Sequence, residues 1–244
     1  MNYTEGNPIT LQGVQTQEVA RTFISKVFLW MSGALILTAI TSFLIAANFD
    51  TFAPYLFNVV EGGVKPSFLY WIAIFAPFIL VLVMSAAVNR LSLSVLSMIY
   101  ILYSLLMGVS FSFIFLAYDL GTIGITFAVT AGTFSVMAVM GFTTKTDLTK
   151  FGSILLMALF GIIIAMVVNL FMNSGPLDFI ISILGVLIFT GLTAYDVQKL
   201  KRFSTQIGEF NNTAGKMALM GALTLYLDFV NLFLFLLRIF GRKN

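Results

Sequence analysis

Seven apolar stretches of about twenty residues alternate with short polar segments along the chain, at 27–48, 67–88, 92–117, 121–142, 152–172, 177–197 and 216–239. A helix needs about 20 apolar residues to cross the hydrocarbon core of a bilayer. Spanning backbone must also satisfy its own hydrogen bonds. The pattern therefore predicts an all-α integral membrane fold of seven helices, occupying 27–244 as one domain. Residues 1–26 are polar, with Gln, Thr and charges of both signs, and read as a flexible N-terminal tail. The first stretch is longer than a signal-peptide core and lacks a small-residue cleavage site, so it is expected to stay in the mature protein. Pro54, Gly62 and Gly63 mark 50–66 as a loop. Pro77 removes a backbone donor inside the second span and is expected to kink it. In the third span Ser97, Ser104, Gly108 and Ser112 form a small-residue seam that lets a neighbouring helix come close.

The last stretch, KMALMGALTLYLDFVNLFLFLLRIF, carries a carboxylate in its middle, Asp228. A charge at that depth requires a partner, water or a proton. Thr224, Asp228, Asn231 and Arg238 follow helical spacings that place them on one side, a polar stripe that belongs inside a bundle. A second acid, Asp196, lies near the end of the preceding span, before Lys199, Lys201 and Arg202. The two spans are joined by a short polar segment and should pair antiparallel. Asn211 and Asn212 lie midway between the acids, so Asp196 and Asp228 meet at one height if both helices project past the membrane. If each helix ends at its nearest lysine, they stand roughly 13 Å apart.

Composition narrows the class. With 59% hydrophobic and 9% charged residues the chain is no soluble globule, whose charged fraction is usually about a quarter. The net charge of +3 comes from lysines and arginines beside the apolar stretches, a membrane-orientation pattern and not a nucleic-acid surface. No Cys and no His are present, which removes disulfides, thiol and zinc chemistry and His-assisted nucleophiles. With a cytoplasmic N-terminus, nine basic residues (Arg21, Lys26, Arg90, Lys145, Lys150, Lys199, Lys201, Arg202, Lys216) lie inside against four outside (Lys65, Arg238, Arg242, Lys243). The positive-inside rule favours that orientation, although a re-entrant last segment would return the basic C-terminus to the inner side. Arg90 then shares the membrane face with Asp196 and either reaches it as a latch or snorkels to headgroups.

GLTAYDVQKLK at 191–201, GALTLYLDFVNLFLFLLRIFG at 221–241 and GFTTKTDL at 141–148 resemble the Bax inhibitor-1 family of transmembrane proteins, in particular its bacterial branch. The resemblance implies a central helix surrounded by six and a calcium leak whose pH sensor is an aspartate pair, which falls on Asp196 and Asp228. It also implies an arginine paired with the first aspartate in the closed state, which falls on Arg90. A bacterial inner membrane location follows from the same resemblance.

Two acids crowded in a poor dielectric hold one proton between them and titrate as a unit. Asp196 and Asp228, with Thr224 and Asn231 in support, offer fewer oxygens than the six to eight of a tight calcium site, so weak Ca²⁺ binding is expected. No other cofactor is expected. Two readings compete. An intramembrane aspartyl protease would also use two carboxylates, but LYLDF lacks the flanking glycines of such enzymes, so no enzyme activity is expected. Alternatively the chain modulates a membrane protease or a cell-death protein through helix contacts, with the aspartates purely structural and the tail as docking segment. Tyr195 and Tyr226 are of interest because each lies within two residues of an aspartate.

Overall fold

The computed structural model describes residues 8–60 and 63–241, and the side chains of 17–58 and 65–241. Its long helices are α1 (Pro8–Ala47), α3 (Phe68–Ala87), α4 (Leu93–Phe111), α6 (Leu120–Thr143), α7 (Thr149–Met172), α8 (Gly175–Ser204) and α9 (Asn212–Phe240). Short pieces intervene: α2 (Phe49–Leu56), strands β1 (Phe57–Val60) and β2 (Gly63–Pro66), and α5 (Ile114–Ala117). Among the described residues seven helices are long and apolar enough to cross a membrane, which is the all-α membrane architecture the hydropathy pattern predicts.

Several boundaries differ from the sequence expectation. The helix of the first span already begins at Pro8, so 8–26 is helical and not flexible chain. Its residues lack Gly beyond Gly13 and any Pro after Pro8, and nothing local stops the helix from propagating backward out of the apolar stretch. The stretch 50–66 is not a plain loop. It folds into α2 and an antiparallel hairpin in which Phe57 faces Pro66 and Asn58 faces Lys65. α8 continues past Val197 to Ser204, and α9 starts at Asn212, where the Asn211 side chain accepts a hydrogen bond from the Ala214 N–H at 3.0 Å. That is an N-cap, which fixes where the helix begins.

The chain divides into two compact units, residues 30–127 and residues 1–29 with 128–244. In the first, the small-residue seam brings α4 against α1. A Cβ on Gly108 would sit 2.5 Å from Thr41 Cβ, and Thr38 Oγ1 donates to Ser104 O at 2.9 Å. α3 joins through Ser110, whose hydroxyl donates to Ala73 O at 2.7 Å. In the second unit α7, α8 and α9 share a core that includes Leu155, Ile162, Ile188, Phe189, Leu232 and Phe235. Lipid is as apolar as these side chains, so association depends on close packing and on polar bonds. Gly185 supplies the first: a Cβ there would lie 2.6 Å from the Phe235 ring, which also stacks on Phe189 at 5.9 Å. α9 is the most deeply buried span, 72% of its apolar window against 50% in α8 and 28% or less in the others.

Candidate functional site

α8 and α9 run antiparallel, and their contacts step in opposite directions along the two chains. Asp178 lies 3.8 Å from Arg238, Gly185 holds Phe235, and Leu200 fills the space over Gly221. In this register Asp196 and Asp228 fall at one height between the two helices, close enough to act on each other electrostatically. Asp196 lies eight residues before the end of α8 and Asp228 sixteen after the start of α9. α9 thus projects beyond α8 by about two turns, roughly 12 Å at 1.5 Å per residue. The connection 205–211 covers that offset easily, because extended chain reaches about 3.3 Å per residue. The condition for the acids to share a height is met.

Asp228 is only 4% exposed, and its Oδ2 is buried without a hydrogen-bond donor. Carboxylates only accept hydrogen bonds, so contact between two of them requires that one carry a proton. Two full charges about 4 Å apart would otherwise repel by about 4 kcal/mol at an effective dielectric of about 20. Lys199, one turn beyond Asp196 on α8, supplies the nearest positive charge acting on it.

The neighbouring sequence-picked residues sit as follows. Thr224 and Asn231 are half-buried on the stripe, their side chains donating to Met220 O at 3.2 Å and Leu227 O at 2.8 Å. Tyr226 is fully buried. The Tyr195 ring covers Gly152 of α7, where a Cβ would lie 2.5 Å from it. Arg90 lies in the turn between α3 and α4, its backbone N–H donating to Ala87 O at 2.9 Å, in the unit that does not contain the aspartates. No group of three or more acidic side chains occurs among the described residues, so a cation here would meet the two aspartates and a few neutral oxygens.

A cavity of about 400 Å³ adjoins the first acid, with Asp196 and Thr224 in its lining. On the opposite face of α8, Gln198 holds the connection between α6 and α7. Its Oε1 accepts the Leu148 N–H at 2.9 Å, and its Nε2 donates to Thr146 O at 2.8 Å. Arg202 donates to Gln198 Oε1 and to Thr149 Oγ1, both at 3.0 Å, and pairs with Asp147 at 2.8 Å. Lys201 donates to Phe142 O at 2.6 Å. This clamp was not legible from hydropathy or charge pattern. Its only local signal was three donors at helical spacing, Gln198, Lys201 and Arg202, opposite the polar segment TTKTDLTKF.

These features define a polytopic α-helical membrane protein whose two most buried spans carry a facing acidic pair. A family profile described as "Inhibitor of apoptosis-promoting Bax1" matches residues 20–244, and the chain belongs to that family, the Bax inhibitor-1 family. It is 44% identical over 233 residues to inner membrane protein YbhL of Escherichia coli strain K12, covering 95% of this chain and 96% of YbhL. A protein of Borreliella burgdorferi is 44% identical over 222 residues, 91% of this chain and 92% of its own length. A membrane protein of Streptococcus pyogenes serotype M1 is 35% identical over 226 residues, 91% and 93% of the two lengths.

Proposed function

We propose that the protein is a pH-sensitive cation leak, for calcium, in which the Asp196–Asp228 pair is both proton sensor and part of the ion route. The observation that carries the reading is the meeting of two carboxyl groups between α8 and α9 with one oxygen, Asp228 Oδ2, buried and undonated. With one proton shared, the contact is satisfied and the seam is closed. When the proton leaves, the repulsion derived above favours water or a divalent cation between the two oxygens. Asp196, Asp228, Thr224 and Asn231 form a sparse ligand set for a hard cation, which suits transit better than storage. The activity is transport and not catalysis. The membrane is the bacterial inner membrane, as YbhL's name states for that relative, with the N-terminus cytoplasmic.

Flux of calcium through purified protein in liposomes, followed between about pH 5 and 8, tests this. Asp228→Asn and Asp196→Asn should each abolish the pH dependence. Unchanged flux with an unchanged pH response would reduce the pair to a helix-joining bond worth about 0.6 to 2 kcal/mol.

A further inference from the structure

The cavity that Asp196 lines combines two chemistries. Its wall is apolar, formed by Leu200 and Phe203 of α8 and Met217 and Met220 of α9. Its rim carries Lys199, Arg202 and the Gln206 amide, with Asp196 deeper in. It lies between the C-terminal part of α8 and the N-terminal part of α9, the ends that their polar connection joins. The surroundings within the same unit are basic. Lys26 lies 5.4 Å over the Phe210 ring, and Lys201 and Lys216 stand nearby in sequence on α8 and α9. The acids at this end are Glu209 in the connection and Asp147, which is already bound to Arg202.

A small free anion would use the rim and leave the methionines and Leu200 facing water. A neutral lipid would cover the wall but bring no anion to the rim, where Lys199 has only Asp196, one turn away, as a nearby negative charge. An amphiphile with a negative head satisfies both, and basic pockets between membrane helices are the usual seats of such headgroups. We propose that this cavity binds an anionic phospholipid, its phosphate at Lys199 and Gln206 and an acyl chain along Leu200, Met217 and Met220. The Arg202 guanidinium is engaged by Asp147, Thr149 and Gln198, which leaves Lys199 to meet the phosphate. The site stands whether or not the acidic pair gates a leak.

Native mass spectrometry of the protein purified in mild detergent should show a retained anionic phospholipid. In nanodiscs, replacing phosphatidylcholine with phosphatidylglycerol should raise the unfolding temperature. Lys199→Gln should weaken lipid retention roughly fivefold. Lys199→Arg should preserve it, and so should Lys145→Gln, which removes an exposed charge from the α6–α7 connection at the same end of the molecule. Equal stabilisation by the two lipids would overturn the proposal, as would equal loss in Lys199→Gln and Lys145→Gln. Millimolar inorganic phosphate reproducing the stabilisation in detergent would replace the lipid with a free anion, which also overturns it.

Discussion

Single residues set how closely the helices of the second unit approach, and the most demanding positions are glycines. A Cβ on Gly141 would fall onto the backbone of Ala194 in α8, whereas one on Gly132 of the same helix meets open space. Gly141→Ala should therefore destabilise by about 1–3 kcal/mol through overpacking. Gly132→Ala should be neutral or gain about 0.5–1 kcal/mol from helix propensity. Thermal unfolding of the two variants in one detergent compares them directly, and equal shifts would contradict the packing described. The aspartates could be picked out in the sequence because a charge inside an apolar run is a local anomaly. The glycines could not, since Gly141 owes its role to Ala194, more than fifty positions away.

At the scale of elements, α8 presents two working faces, one toward α9 and the acidic pair, the other toward the α6–α7 connection. Gln198→Leu would leave the Leu148 N–H and Thr146 O unpaired, at about 1–3 kcal/mol for each group that water does not reach. Faster hydrogen exchange across 144–148 is the expected readout. The Asp147 carboxyl is held well below its ordinary value, first by its hydrogen bond with Thr149 and then by Arg202. Its contribution is thus present above the usual carboxylate value of 3.8 and lost only as the pH falls below it. Asp147 stays ionised between about pH 5 and 8, and Asp147→Asn should leave the midpoint of any pH-dependent flux where it was. A displaced midpoint would move the sensor from the acidic pair to this connection. The apolar cores of these helices were legible from hydropathy. Their ends were not: the Asn211 cap and the extension of α8 to Ser204 lie in polar sequence, where capping and the clamp decide the boundary.

For the whole molecule, seven crossings would place the two chain ends on opposite sides of the membrane, and the proposed cytoplasmic N-terminus, favoured by nine basic residues against four, would leave the C-terminus outside. Reporter fusions should report a cytoplasmic 144–148 connection and an external C-terminus. A cytoplasmic C-terminus would mean that the last segment does not cross. The number of spans was readable from the sequence because lipid enforces apolar runs on every crossing helix. The hairpin at 57–66 was not, because its Gly and Pro residues signal a turn without saying that the flanks pair. The clamp on the rear of α8 also limits how the acids can respond to a change of charge. One helix is bolted to its neighbours through Gln198, Lys201 and Arg202, and the other is walled in along most of its length. Under the proposed leak, these restraints disfavour a swing of either rod, and loss of the proton would be answered by rotation of two short side chains and by solvent advancing inward from the hollow that Asp196 lines. In that proposal the first step of opening would be hydration.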